Sequence, residues 1–188
     1  MESLRLERLL ADAKKLGSQD DHWSRSYRAF LLFFERLDFI APDDVLIGVN
    51  FVYGWMPTML KKVNLSNLER AADVLTSVKK GKILDIGELN LIRSVTNDSV
   101  VGASKLLHFV NPYNFAIWDS KTCLYTHTKG YLVDRSSTYI SYLDRCRYLS
   151  KLPGFKEFFD IVKGQFPFSI SPMRALDVVM FEAIRTQV

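Results

Sequence analysis

One carboxylate in the sequence is set apart by its surroundings. Asp119 follows an apolar stretch, residues 115–118, and precedes Ser120, where the pattern predicts the start of a helix. The apolar side chains would desolvate the carboxyl and favour its neutral form, whereas the helix N-terminus would favour the charged form. A carboxylate between these two influences suits a general base or a stabiliser of developing positive charge. The alternative is that Asp119 is only the N-cap of the helix.

A second group of candidate residues is aromatic. Tyr53 and Trp55 flank Gly54, and Pro57 follows shortly afterwards. Glycine and proline weaken a helix, so the sequence predicts a stretch that can present both rings to a cleft. The alternative is that both rings belong to the core of a bent helix.

The positive charge is concentrated in one part of the chain. The 188 residues include 25 Lys and Arg against 21 Asp and Glu, which gives a net charge of +4. Between residues 100 and 151 there are seven basic and three acidic residues, a difference of four, so this segment carries the whole excess. A local basic excess with interleaved aromatic residues is typical of a polyanion-binding face. The alternative is the ordinary scatter of surface charge.

The residue types present exclude several kinds of site. The sequence has no G-x-x-x-x-G-K-[ST] or G-x-G-x-x-G phosphate loop, which argues against nucleotide hydrolysis and dehydrogenase chemistry. Its cysteines and histidines lack metal-ligand spacing, so we expect no metal and no cofactor; these residues are Cys123, Cys146, His22, His108 and His127. We expect His108, between apolar neighbours, to be a hydrogen-bonded, partly buried histidine.

The sequence also indicates where the protein works. Residues 1–16 alternate charged and apolar side chains and lack the hydrophobic core of a secretory signal. The longest apolar stretch, residues 45–60, is interrupted by polar residues, glycine and proline and falls short of the about 20 residues that a membrane span needs. Two cysteines offer no disulfide framework. We therefore expect a cytoplasmic monomer that does not contact membranes.

Almost every segment has the apolar period of a helix. The pattern predicts an all-α fold, a multi-helix orthogonal bundle, because no run alternates long enough to require a strand. We expect a single compact domain over residues 1–188, and no linker separates parts of it. The predicted helices are 4–16, 22–40, one opened by Pro42, 68–78, 85–95, 100–110, one from residue 120, 136–150, 153–163 and 172–186.

Residues 94–126, in a hairpin-like region at 85–128, resemble the helix-hairpin-helix DNA glycosylases. In that family a hairpin of the type L-P-G-V-G-x-x-T-A is followed, after one helix, by an aspartate in a V-D-T block. Ala103 lies sixteen residues before Asp119, close to the family's spacing, and residues 117–121, Ile-Trp-Asp-Ser-Lys, match that block. The resemblance implies two closely packed helical lobes with the active site in the cleft between them.

The resemblance also implies a function. Such an enzyme flips a damaged or modified base out of DNA and hydrolyses its N-glycosidic bond, in genome repair or against modified foreign DNA. Asp119 would be catalytic. Bifunctional members carry a lysine just before the T-A pair, where this chain has Val100 or Val101, which favours a monofunctional enzyme without a Schiff base.

Further residues receive roles from the same resemblance. The base pocket would be formed by Tyr53, Trp55, Trp118 and Asn50. The DNA backbone would be contacted by Lys105, Lys121, Lys129, Arg135 and Gly102. The hairpin here has one glycine where the family usually has two. The alternative function is a non-catalytic helical module that binds nucleic acid or a protein partner, in which Asp119 is a cap.

Overall fold

The computed structural model describes residues 4–56 and 58–186, and within these ranges the chain forms ten α-helices and no strand. This confirms the predicted all-α class. The helices are α1 (Leu6–Ala13), α2 (His22–Glu35), α3 (Pro42–Trp55), α4 (Leu68–Lys79), α5 (Ile86–Val95), α6 (Val100–Val110), α7 (Ser120–Tyr125), α8 (Ser136–Leu149), α9 (Phe155–Lys163) and α10 (Pro172–Arg185).

Side-chain caps fix several of the helix starts. Asp21 accepts the backbone N–H of Ser24 at 2.8 Å at the start of α2, and Ser171 accepts that of Arg174 at 3.0 Å at the start of α10. Each such cap contributes about 1 kcal/mol by satisfying an N–H that has no partner within the helix. Asp119 caps α7 in the same way. The α6 bounds match the predicted 100–110.

Helix α2 is shorter than predicted. It ends at Glu35 and not at Ile40, because the following residues turn towards α4. The Ile40 N–H donates to Thr76 Oγ1 at 2.9 Å, and the Lys79 ammonium donates to the carbonyl of Phe34 at 2.7 Å. A lysine at that point satisfies one of the carbonyls that a helix C-terminus leaves free. The turn buries Ile40, which is 3% exposed.

Two buried helices organise the core. Helix α6 packs against α2, α3, α4 and α5, and α10 packs against α1, α7, α8 and α9. In α6 every residue except Val101 is buried, and in α10 the run 173–180 is buried throughout. Both helices nevertheless carry charged side chains inside this core: Lys105 on α6, and Arg174 and Asp177 on α10.

A membrane-spanning helix is not present in the part of the chain that the structure describes, since none of its helices is both long and apolar enough.

Candidate functional site

The connection between α6 and α7 determines where Asp119 lies. Asn111 follows α6, and its side-chain oxygen accepts the backbone N–H of Tyr113 at 3.2 Å, which closes a polar turn. The chain then returns alongside α6, where the Trp118 N–H donates to Ser104 Oγ at 3.1 Å. This path brings Asp119, at the N-terminus of α7, next to the middle of α6.

The two oxygens of the Asp119 carboxylate have different partners. Oδ1 accepts the backbone N–H groups of Lys121 at 2.9 Å and Thr122 at 3.0 Å, so Asp119 is the N-cap of α7. Oδ2 lies 3.9 Å from the Nζ atom of Lys105. The Asp119 side chain is 15% exposed. Capping thus uses one oxygen, and the second oxygen faces a buried cation.

Lys105 is unusual for a lysine because it is almost entirely buried. Its side chain is 7% exposed, whereas lysines are rarely buried without a charged partner. Burial lowers the pKa of the Lys105 amine, and the negative charges of Asp119 and Asp177 oppose that shift. Among the described residues, Asp119 is the carboxylate that forms an ion pair with it. The sequence predicted Lys105 as a DNA contact, and the structure places it beside the candidate catalytic carboxylate.

A second buried ion pair lies on α10. Arg174 and Asp177 are three residues apart, and the Arg174 Nη1 atom donates to Asp177 Oδ1 at 2.6 Å. Asp177 Oδ2 accepts the backbone N–H of Ile117 at 3.1 Å, which ties α10 to the chain just before Asp119. Burial raises the pKa of Asp177 to about 7, although the Arg174 charge acts in the opposite direction.

His108 lies between the two ion pairs. Its Nδ1 atom is 3.9 Å from Asp177 Oδ2, and its ring nitrogens hydrogen-bond to the carbonyl of Phe115 and, at 2.9 Å, to the Tyr27 hydroxyl. Burial lowers the pKa of His108 to about 3, so the ring is neutral at physiological pH. His108 is a fully buried, hydrogen-bonded histidine, more deeply buried than predicted.

Two aromatic rings lie close to the guanidinium of Arg174. Its Cζ atom is 4.7 Å from the ring centroid of Tyr27 and 5.7 Å from that of Trp55, within cation–π range. Trp55 is half-buried, packs edge-on against Phe109 at 5.5 Å, and donates its indole N–H to the Trp23 carbonyl at 3.2 Å. Trp55, one of the predicted base-pocket residues, therefore adjoins the buried charges through Arg174.

Five ionisable side chains thus gather where α6, α10 and the start of α7 meet. We call them the charge cluster: Lys105, His108, Asp119, Arg174 and Asp177. Sequence reasoning did not identify Arg174 or Asp177. The signal was their position three residues apart within an otherwise apolar run, 173–180, which puts both on one face of a buried helix.

Tyr53 and Gly102 lie at a different place, where α3 crosses α6. Tyr53 is buried, and its hydroxyl donates to the carbonyl of Thr96 at 3.0 Å. Burial raises the pKa of the Tyr53 hydroxyl to about 12. A Cβ atom at Gly102 would come within 2.7 Å of that hydroxyl, so the glycine permits the two helices to approach. Their suggested roles in the base pocket and in DNA binding stay predictions.

A turn joins α5 and α6 at the position where the resemblance implies the hairpin. Asn97 and Asp98 have φ angles of 60° and 53°, in the left-handed region. The first N–H groups of α6 are occupied by side chains: that of Val100 donates to Asp134 Oδ1 at 2.7 Å and that of Gly102 to Ser99 Oγ at 3.3 Å. A DNA phosphate at this helix start would compete with these two acceptors.

The remaining base-pocket candidates differ in exposure. Trp118 is fully buried, and its indole N–H donates to the carbonyl of Val133 at 2.8 Å. Asn50 is exposed, and its side-chain amide donates to the Leu46 carbonyl of its own helix at 2.8 Å. Trp118 directly precedes Asp119 in the sequence. Asn50 forms no described hydrogen bond with a member of the charge cluster.

Three of the predicted DNA contacts lie near the surface. Lys129 and Arg135 flank the ring of Tyr131, with Nζ at 6.0 Å and Cζ at 5.9 Å from its centroid. Tyr131 is 68% exposed, so two cations and an open ring share one surface, which we call the Tyr131 surface. Lys121 lies elsewhere, with its ammonium 5.9 Å from the ring of Phe181.

The surface pockets lined by described residues include the following two. One, of about 410 Å³, lies between α4 and α5 and is lined by residues that include Arg70, Asp73 and Glu88. The other is on α9 near Lys156. The predicted interlobe cleft at Asp119 is neither of these. In the described ranges, no group of three or more His, Cys, Asp or Glu side chains is arranged to hold a metal ion.

Comparison of the chain with protein-family models, with curated proteins and with solved structures found no match. Support for a function therefore comes from the charge cluster and from the resemblance of residues 94–126.

Proposed function

We propose that the protein is a DNA glycosylase that extrudes a damaged or modified base and hydrolyses its N-glycosidic bond, with Asp119 as the catalytic carboxylate. The observation that carries the proposal is the position of Asp119 Oδ2. This oxygen is not used for capping, lies 3.9 Å from the buried ammonium of Lys105, and belongs to a side chain that is 15% exposed. An aspartate that only caps a helix needs no buried cation beside it, because the helix N-terminus already favours the negative charge of the carboxylate.

The chemistry follows from the charge that develops on the sugar. When the bond between C1′ and the base nitrogen breaks, the base leaves with the electron pair and the sugar becomes an oxocarbenium ion. Asp119 Oδ2 stabilises that positive charge and accepts a proton from the water that bonds to C1′. The departing base gains a proton from solvent, and an abasic sugar remains. Two backbone N–H bonds fix the carboxylate in place meanwhile.

In this proposal Lys105 positions Asp119 and does not attack the sugar. Its ammonium lies 3.9 Å from Oδ2, and the attraction between the opposite charges holds that oxygen in place. The family's Schiff-base lysine would stand at Val100 or Val101, and Lys105 lies about one helical turn further along α6. We therefore propose a monofunctional enzyme.

Release of base from modified duplex DNA tests the proposal. We expect wild type to release at least one base from a broad panel of modified duplexes, and Asp119→Asn to release none. Asp119→Ser is the matched control for folding, because serine caps a helix nearly as well as aspartate. It should keep the wild-type far-UV circular dichroism and be inactive, although it should unfold at a lower urea concentration because the buried Lys105 loses its carboxylate partner. Equal release by wild type and Asp119→Ser, or no release by wild type from any duplex, would contradict the proposal.

One observation favours a second candidate function. Asp119 forms a complete capping box, since its N–H donates to Thr122 Oγ1 at 2.8 Å while its carboxylate accepts the Thr122 N–H. In a non-catalytic module that binds nucleic acid or a protein, this cap would be its whole role. If this function is correct, the wild-type protein and the Asp119→Ser variant should bind unmodified DNA with equal affinity, and the wild-type protein should release no base.

A further inference from the structure

Arg174 has more hydrogen-bond donors than partners. The residue is 9% exposed and its Nη1 atom donates to Asp177. Its Nε atom is buried, and no acceptor for it is present in the described part of the chain. A guanidinium carries five N–H donors in a planar fork, and leaving such donors buried without acceptors is costly. A ligand that brought acceptors to this fork would remove that cost.

The surroundings of this fork suit a flat ligand. The ring centroid of Trp55 lies 5.7 Å from the Arg174 Cζ atom, and that of the fully buried Tyr27 lies 4.7 Å from it, so Trp55 is the ring of the two on which a ligand could stack. Trp55 is only half-buried, so part of its ring is open to solvent. An extruded base in a glycosylase is held by stacking on such rings and by hydrogen bonds to its edge.

Arg174 is also connected to the proposed catalytic carboxylate. Asp177 accepts from Arg174 with one oxygen and from the Ile117 N–H with the other, and Ile117 stands two residues before Asp119. The positive charge of Arg174 contributes to the lowered pKa of Lys105. The fork therefore belongs to the same site as Asp119.

We propose that Arg174 reads the edge of the extruded base and selects bases that present two adjacent hydrogen-bond acceptors, such as the O6 and N7 atoms of a 6-oxopurine; this inference rests on the proposed function. A guanidinium donates to both of these acceptors at once. A 6-aminopurine presents N7 beside an N–H donor, which leaves one N–H of the fork facing another donor. Sites built to hydrogen-bond a ligand reject the analogue that cannot complete the bonds.

Binding of free bases tests the inference without requiring catalysis. The probes are hypoxanthine, adenine and 7-deazahypoxanthine, titrated into the full chain while tryptophan fluorescence is recorded, since Trp55 adjoins Arg174. We expect hypoxanthine to bind about tenfold or more tightly than either of the others, because each of these lacks one acceptor of the pair. Equal binding of the three bases would overturn the inference, and this arm needs no variant protein.

A variant assigns the selectivity to Arg174. Arg174→Lys keeps a positive charge for Asp177 but lacks the planar fork, so the preference for hypoxanthine should fall to about twofold or less. The matched control is Arg185→Lys, because Arg185 pairs with Glu182 three residues away on the same helix but is exposed. It should keep the full preference. An unchanged preference in Arg174→Lys would overturn the inference.

Activity on DNA separates this inference from the proposed function. The matched substrates are duplexes that contain a single hypoxanthine or a single N6-methyladenine. If wild type releases bases and Arg174→Lys releases both with wild-type selectivity, the inference fails and the proposed function stands. If no base is released from DNA but free hypoxanthine is selected through Arg174, the glycosylase function fails and the 6-oxopurine site stands.

Discussion

The position of Asp119 was predictable from the sequence, whereas the burial of Lys105 was not. The sequence predicted Asp119 at a helix start because Asp119-Ser120 follows an apolar stretch, and the structure has it there. The burial of Lys105 was not predictable in the same way, because an apolar stripe identifies one buried face and α6 is covered on all sides. Small neighbours in the run 102–104 contribute to this burial, since they let other segments approach α6.

Replacement of Lys105 by methionine tests its positioning role. Lys105→Met keeps the length of the side chain but leaves Asp119 Oδ2 without its cation, so we expect base release to slow about tenfold or more while the far-UV circular dichroism stays unchanged. Lys156→Met, at an exposed lysine on α9, is the control and should retain full activity. Borohydride added during turnover should trap no covalent complex with DNA. A trapped complex that Lys105→Met abolishes would show that the lysine attacks the sugar.

Asp177 should give the protein a specific dependence of stability on pH. Burial raises the pKa of Asp177 to about 7, so between pH 4 and pH 7 the folded protein holds a proton that the unfolded chain releases. This contribution stabilises the fold at low pH and is lost as the pH rises through about 7. His108, whose pKa is lowered to about 3, contributes a slope of opposite sign.

Asp177→Asn isolates this contribution. The slope from His108 is common to both proteins and cancels in the difference between them. We subtract the free energy of unfolding of wild type from that of the variant, both measured by urea denaturation. We expect this difference to rise by up to about 4 kcal/mol between pH 4 and pH 7. A difference that stays constant across this range would contradict the assignment.

At the scale of elements, the helices were largely predictable because each has a local signal. Helix-opening residues such as Pro42 and the apolar period place most of the starts within two residues of the observed ones. Two helix ends differ clearly from the prediction. Helix α1 ends at Ala13 and not at residue 16, and the early end of α2 depends on contacts with Thr76 and Lys79, which are distant in the sequence. The crossing of α3 and α6 was equally beyond local signals, because it depends on Tyr53 meeting Gly102.

Gly102→Ala tests this crossing. The added Cβ would come within 2.7 Å of the Tyr53 hydroxyl and 3.1 Å of the Thr96 carbonyl, so we expect a loss of about 1–3 kcal/mol in the free energy of unfolding. Tyr53→Phe in the same chain removes the hydroxyl and should recover part of that loss.

A second glycine provides the control for this test. Gly54 lies in α3, and a Cβ atom there would meet nothing within 4 Å. Gly54→Ala should therefore stabilise the protein by about 0.5–1 kcal/mol through helix propensity alone. Equal effects of Gly54→Ala and Gly102→Ala would show that the contact with Tyr53 is unimportant.

At the scale of the whole molecule, the basic excess of residues 100–151 is not one continuous feature. Lys105 is inside the core, Lys121 lies near Phe181, and Lys129 and Arg135 form the Tyr131 surface. A count along the chain could not separate these, because burial and neighbours depend on the folded arrangement. The charge cluster likewise joins α6 and the start of α7 to α10, which is far from both in the sequence.

The Tyr131 surface should dominate the salt dependence of DNA binding. Each phosphate neutralised by a cation releases a counterion, so the logarithm of the affinity falls linearly with the logarithm of the salt concentration. We expect Lys129→Ala and Arg135→Ala each to reduce that slope by about 1 in a fluorescence anisotropy titration with duplex DNA. Lys156→Ala, at a lysine paired with Asp160, should leave it unchanged. Identical slopes for all three variants would place the DNA elsewhere.

The position of α10 has a consequence for synthesis of the protein. Of the described helices, α10 leaves the ribosome last, yet α1, α7, α8 and α9 all pack against it. Until its residues emerge, Ile117 lacks its acceptor on Asp177 and the apolar faces of these four helices have no common partner. The nascent chain therefore cannot complete the core, or the proposed site within it, before α10 is made, so a chain that stops short of α10 should not fold stably and should not show the proposed activity.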